Sequence, residues 1–292
     1  MAPVADTPVV AEAPPPEVGR VYYRHRFLTR LCHWINALCI GFLLASGLNI
    51  LNAHPALYWG NYGADADVGR RWLEIGAMDK PDGRVMGTTR LGSLSVDTSG
   101  ILGTNADADG EVQQQAFPRW VTFPADRDLA TARRWHFFFA WLFIVSGLVY
   151  LIFGLFTRHL QNDVWPRLKE LSPQNLWSDI ANHAKLRFPR GEDDKHYHIL
   201  QKIAYGGTVF VLLPLMILTG LSMSPGFNAA LGGALPSLFG GRASARSIHF
   251  IVTNLTVAFI VVHVLMVVLA GPWNQMRSMI TGRYDVGKER RP

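Results

Sequence analysis

Four long runs without Asp, Glu, Lys or Arg punctuate the chain: 31–51 (LCHWINALCIGFLLASGLNIL), 135–156 (WHFFFAWLFIVSGLVYLIFGLF), 203–223 (IAYGGTVFVLLPLMILTGLSM) and 248–270 (IHFIVTNLTVAFIVVHVLMVVLA). Each reaches the roughly 20 apolar residues that a helix needs to cross a bilayer. Helices are the expected form, because backbone polar groups in lipid must be satisfied within their own segment. The pattern predicts an all-α membrane protein, a four-transmembrane-helix bundle with a long loop, 52–134, between helices 1 and 2. Pro214 predicts a kink in the third helix.

The polar stretches between the runs differ in character. The 52–134 loop is rich in Gly, Asp and Thr and predicts short strands or hairpins. Loops of this length are usually functional or disordered. Its Tyr58, Trp59, Tyr62 and Trp72 are expected either at the membrane interface, where such rings concentrate, or in the docking of a partner. Short polar helices are expected near 165–171 and 175–184. The apolar part of 224–246 is too short to span, which suggests an interfacial or re-entrant helix. No internal repeat of convincing strength is visible. Three segments follow: an Ala/Pro/Val-rich tail, 1–20, read as disordered and without the pattern of a cleavable signal peptide; a transmembrane domain, 21–284; and a basic tail, 285–292.

Composition hides this pattern. The chain of 292 residues is 49% hydrophobic and 17% charged, close to a soluble average. The net charge of +6 comes largely from basic residues flanking the spans: Arg20, Arg24, Arg26 and Arg30 before the first, a set from Arg158 to Lys202 between the second and third, and Arg277, Arg283, Lys288, Arg290 and Arg291 after the fourth. Only Arg242 and Arg246 lie between the third and fourth. The positive-inside rule then places both termini in the cytoplasm and the 52–134 loop in the periplasm of a bacterial inner membrane. Membrane lipid accounts for the charge, and no nucleic-acid partner is expected. The two cysteines, Cys32 and Cys39, lie about 10 Å apart along one helix, too far to bridge, and no CxxCH or metal-binding cysteine cluster is present.

Ten histidines are present, and four fall within or at the edge of the spans: His33 in the first, His136 in the second, His249 and His263 in the fourth. Ionisable residues inside a membrane are costly and point to function. His249 and His263, fourteen residues apart, lie on nearly one helix face and roughly 21 Å apart along the axis. The predicted topology sorts the four by depth: His33 with His263 near the inner edge, His136 with His249 near the outer. Facing imidazoles in a bundle are the ligand set of a six-coordinate haem iron, which suits electron transfer. Two depths argue against one zinc or copper site, and no span holds an acidic residue for a proton relay. A porphyrin needs a helix face without bulk. Gly47, on the face of His33 at the outer depth, is the candidate for that room; Gly41, Gly147, Gly154, Gly206, Gly207 and Gly220 fit ordinary helix packing. His54, followed by Pro55, is the rival outer ligand. A haem-free anchor for a partner and a small histidine-dependent proton or solute transporter are the competing readings.

The segments RHRFLTRLCHWINA with NAHPALYWG, DLATARRWHFFFAWLFIVSGLVY, KHYHILQKIAY, and GGRASARSIHFIVTNLTVAFIVVHV with SMITGR carry a resemblance over about residues 21–284. The chain resembles the four-helix dihaem cytochrome b subunits of membrane oxidoreductases, the formate dehydrogenase gamma and nickel–iron hydrogenase cytochrome b group. It looks closest to the thiosulfate-reductase-type cytochrome b subunits associated with molybdopterin enzymes. The resemblance implies two haem b groups, held by His136 with His249 and by His33 with His263. It implies electron exchange with a periplasmic redox protein, a molybdopterin oxidoreductase, at the outer haem and with the quinone pool at the inner. The substrate-converting site would then lie on the partner, and no catalytic residue is expected here. A quinone pocket is expected near His263 and the start of the third span, where His196, His198, Lys202 and Tyr205 lie; interface anchoring is the competing reading for each.

Overall fold

The computed structural model describes residues 21–81, 83, 85–106, 109–161, 165–166, 168–184 and 199–285. In chain order, strand β1 (Val21–Tyr23) leads into helix α1 (Phe27–Asn52). The connecting loop holds β2 (Ala56–Leu57), β3 (Leu73–Asp79), β4 (Val85–Leu91), β5 (Leu94–Asp97), β6 (Thr104–Ala106) and β7 (Val112–Gln114). Helix α2 (Leu129–Phe156) follows, then α3 (Pro173–Ala184). The third crossing is made of α4 (Ile199–Gly207), a π-helical turn (Thr208–Leu212) and α5 (Leu213–Met223). Short helices α6 (Pro225–Ala230) and α7 (Ala234–Leu238) precede α8 (Arg242–Leu269), α9 (Pro272–Thr281) and strand β8 (Arg283–Asp285).

Among the described residues four helical segments are long and apolar enough to cross a membrane: Phe27–Asn52, Leu129–Phe156, Ile199–Met223 and Arg242–Leu269. Each begins before its charge-free run, because a helix continues through the arginines, or in the third crossing Lys202, that the run excludes. Asp128 marks the start of α2, its carboxylate accepting a hydrogen bond from the Thr131 amide at 3.0 Å, a side-chain cap for an otherwise orphaned donor. In the third crossing the α-helical pattern gives way to a π turn directly before Pro214; proline removes one intrahelical donor, and a π turn absorbs the mismatch.

Helix α1 packs along α2, and α5 along α8. Leu213 and Ile217 of α5 reach across to a mid-bundle core of Cys39, Phe139 and Phe143. Elsewhere many of the buried side chains of the spans are small, and several are polar: Ser46, Thr219, Ser222 and Ser247 are completely covered. Large apolar residues such as Phe138, Leu148, Ile152, Leu155, Val261 and Leu265 face outward. That inversion belongs to a bundle solvated by lipid, where close packing of small residues, not burial of large ones, holds helices together.

The loop between α1 and α2 carries the expected hairpins and more. Strands β2, β3, β4 and β5 form one antiparallel sheet in that order, and β6 pairs with β7. Ile75 of β3, with Ala116 and Phe117, seals the sheet onto Leu48 and Leu51 at the end of α1. The residues of 224–246 expected as an interfacial or re-entrant helix form the short α6 and α7 instead, with a left-handed Gly233 between them. At the opposite end of the bundle β1 pairs with β8. Tyr284 is buried beneath the Arg24 guanidinium, 4.6 Å from its ring centre. The Asn274 side chain donates to the Asp285 carbonyl at 2.9 Å and accepts from the Asp285 amide at 3.0 Å. The ends of the described chain are thereby joined beside the start of α1, where Arg30 donates to the Ile280 carbonyl and Trp34 to that of Met279.

Candidate functional site

The four histidines occupy two levels of the bundle. His33 and His263 meet at the terminal end, with ring centres 6.4 Å apart and planes inclined at 55°. His136 and His249 stand near the starts of α2 and α8, at the loop end. The apolar core of Cys39, Phe139 and Phe143 lies between the levels, Cys39 falling between His33 and Gly47 on α1.

The loop-end pair rests in two matching seats. On α1, Ser46 and Gly47 receive His136: the Ser46 oxygen lies 3.0 Å from Nδ1, and a Cβ on Gly47 would stand 3.4 Å from Cε1. On α5, Thr219 and Gly220 receive His249: the Thr219 oxygen lies 3.0 Å from Nδ1, and a Cβ on Gly220 would stand 3.5 Å from Cε1. The hydroxyl gives each ring a partner and the glycine lets it approach.

These contacts decide where the ring proton sits. The Met216 carbonyl lies 3.2 Å from Nδ1 of His249. A carbonyl only accepts, so Nδ1 carries the hydrogen and Nε2 keeps its lone pair. Thr219 agrees, because its own proton goes to the Leu215 carbonyl at 2.7 Å, leaving the oxygen to accept. Ser46 likewise donates to the Phe42 carbonyl at 2.6 Å and accepts from Nδ1 of His136. Two neutral imidazoles with Nδ1–H anchored and Nε2 basic are the form in which histidine binds a metal. At the terminal end, Nδ1 of His33 is buried without a hydrogen-bond partner, a cost of about 1–3 kcal/mol if nothing else supplied one. The His33 and His263 rings, with centres 6.4 Å apart, leave room for one iron between them, so both levels fit iron-porphyrin ligation. Among the described residues no cluster of three or more His, Cys, Asp or Glu side chains offers a metal site of another kind.

Gly47, expected to leave room for a porphyrin, lies against the His136 imidazole. Gly220, read from the sequence as ordinary packing, plays the same part for His249. Gly154 does pack conventionally, against Leu160, and Gly147 faces open space. The signal available in the sequence was a recurrence: SGLN in the first span and TGLS in the third, each followed by a span bearing a histidine near its start.

The other candidates separate. His54 stacks on Tyr58, with ring centres 5.9 Å apart and planes 7° from parallel, while its carbonyl receives the Arg246 guanidinium. Lys202 is committed to Glu170, its amine lying 3.0 and 2.9 Å from the two carboxylate oxygens. Tyr205 faces His263, with ring centres 6.1 Å apart. His196 and His198 lie outside the described residues.

The loop forms a roof over the start of α8. Ser247 donates to the Tyr58 carbonyl at 2.6 Å and accepts from the Trp72 indole at 2.9 Å. Ser244 accepts from the Gly60 amide at 2.6 Å. Gly241 makes the approach possible: its φ is +125°, and a Cβ there would lie 2.4 Å from the Gly60 oxygen. Trp72 in turn stacks on Trp59, so two aromatics placed by sequence at an interface or a partner are tied to the span that bears His249.

The chain is 34% identical over 141 residues, 48% of its own length and 67% of the other's, to a protein of Azospira oryzae described as a putative protein-methionine-sulfoxide reductase subunit, YedZ1. No solved structure matches it. The family model of prokaryotic cytochrome b561 matches residues 24–282, and the chain belongs to that family of haem-binding, electron-transferring membrane proteins.

Proposed function

We propose that this protein is a dihaem b-type cytochrome subunit. It carries electrons across a bacterial inner membrane between a periplasmic redox protein at the loop end and the quinone pool at the terminal end, with both termini cytoplasmic. The observation that carries the reading is the stacking of two histidine pairs at two levels, with the loop-end rings fixed as Nδ1–H tautomers. His136 and His249 hold one haem, and His33 and His263 the other. A bis-histidine haem supplies a one-electron iron couple with no open position for a substrate.

The residues around the two levels have distinct tasks. Ser46, Thr219 and the Met216 carbonyl fix the loop-end imidazoles and make them stronger donors. The roof built by Tyr58, Trp72 and the sheet offers a protein partner a surface directly above that level. A molybdopterin oxidoreductase is the expected partner, and the relative named as a reductase subunit supports a subunit's role in which substrate chemistry resides elsewhere. At the terminal end, Tyr205 stands beside His263 and is the candidate for holding a quinone; Lys202 is engaged by Glu170 and serves as an anchor. Membership of a haem-binding cytochrome family leaves no place for a haem-free anchor or a transporter.

Reduced-minus-oxidised spectra of the purified protein test this. Two b-type haems per chain are expected, with His249→Ala removing one and His263→Ala the other. A single haem per chain, or variants with unchanged haem content, would refute the pairing.

A further inference from the structure

Helix α8 carries Arg242, Arg246 and His249 at positions i, i+4 and i+7, on one face. Arg246 stands one turn, about 4.5 Å, nearer the loop end than His249, and Arg242 one turn further. Each guanidinium has only an uncharged contact: Arg246 donates to the His54 carbonyl, and Arg242 to the Met223 carbonyl at 3.0 Å. Among the described residues neither forms an ion pair, whereas at this end Glu74 serves Arg71 and Arg90, and Asp126 serves Arg119. The half-buried guanidinium of Arg246 at the edge of an apolar span calls for an anion; Arg242 beside it is exposed, and each has most of its five N–H donors to offer.

We propose that Arg246, assisted by Arg242, is the binding site for the propionate carboxylates of the haem held at the loop end. This rests on the dihaem reading above. A b-type haem carries both carboxylates on one edge, and that edge is driven toward the aqueous end of the bundle. From His249 that direction leads along α8 to Arg246 and then to Arg242. Two cations meet two anions there, and charge-assisted hydrogen bonds to a planar guanidinium favour this pairing. The contact of Arg246 with His54 links the carboxylates to the loop, so the same side chain orients the cofactor and fastens the roof above it.

The test uses the full-length protein purified with its native haem. Each haem is titrated electrochemically across a pH series in wild type, Arg246→Gln, Arg246→Lys and Arg242→Gln, with the loop-end haem assigned by His249→Ala. In Arg246→Gln the midpoint potential of the loop-end haem should fall, because an uncompensated carboxylate favours ferric iron, and its pH dependence should steepen as reduction draws a proton to that carboxylate. The other haem should not move. Arg246→Lys should lie between, and Arg242→Gln should show a smaller shift of the same sign. An unchanged loop-end potential and pH dependence in Arg246→Gln would overturn the proposal, as would an equal shift of both haems, which marks a structural effect alone, or an anionic lipid taking the place of the propionates. If Arg246→Gln loses that haem, Arg246→Lys decides: retention near the wild-type potential supports the assignment, and loss overturns it. A wild type without two haems would instead refute the dihaem reading.

Discussion

Replacing Thr219 by Val removes one hydroxyl and keeps the shape. In the native seat that oxygen accepts the Nδ1–H of His249 at 3.0 Å while its own proton is spent on the Leu215 carbonyl. The Leu215 carbonyl loses little, since it also belongs to the helix ladder. The imidazole loses the better of two acceptors and keeps the Met216 carbonyl at 3.2 Å. A neutral hydrogen bond of this kind contributes about 1 kcal/mol net, which is about fivefold in haem affinity. Ser46→Ala on the His136 side should cost a similar amount, and the double variant about 2 kcal/mol, roughly thirtyfold, if the seats act independently. The ring proton is also held less firmly, so the imidazole donates less charge and the loop-end potential should rise, opposite in sign to the shift expected for Arg246→Gln. Haem retention during dilution in detergent and spectroscopic redox titration measure both effects. A folded double variant with wild-type affinity and potential would refute the assignment of these hydroxyls to the ligand rings.

Three further outcomes follow from other contacts. Lys202→Met should lower thermal stability by about 1–2 kcal/mol, because Glu170 loses its partner in a pair only partly shielded from water; Glu170→Gln added to it should restore most of the loss, and the KM for quinol should stay put if Lys202 is an anchor. Gly241→Ala should destabilise by more than about 1 kcal/mol, since its left-handed backbone and the Gly60 oxygen both exclude a side chain; thermal unfolding and protease sensitivity of the 52–134 loop report it. Burial, with lesser help from Arg24, His159, His33 and Arg30, pushes His25 down from 6.5 to about 4. The unfolded chain then binds the proton first, so stability is full above about pH 6.5 and falls as pH drops toward 4, by at most about 3 kcal/mol; His25→Gln should flatten the thermal-stability profile across that window, and an unaltered slope would contradict it.

The sequence exposed the spans because lipid forbids charge over a fixed length, a constraint that leaves charge-free runs. It blurred their ends, because Arg242, Arg246 and Arg134 are charged yet helical. The four histidines were visible because an imidazole is conspicuous among apolar residues and helical spacing orders it by depth. Gly47 stood out by its face and depth, but Ser46, Thr219 and Gly220 did not, since small and hydroxylic residues in a membrane helix equally serve ordinary packing, and only a facing ring tells the two apart. The pairing of β1 with β8 and the docking of Tyr58 and Trp72 on Ser247 join residues remote in the chain; no local periodicity encodes such meetings. Lys202 drew notice as a charge beside an apolar run, and its partner Glu170 lay in a separate segment.

The two-stranded ribbon of β1 and β8 has a consequence for biogenesis. Val21–Tyr23 leaves the ribosome at the outset, but its mate is among the last described residues to be made. At ordinary elongation rates the interval is on the order of tens of seconds. Throughout that time the lead strand waits without a partner, and so do Arg30 and Trp34, whose acceptors are the late-made carbonyls of Ile280 and Met279. Closure of this clasp beside His33 is thus a late event of maturation, and a nascent chain stalled before Arg283 should already expose a finished loop end while its terminal end is still open.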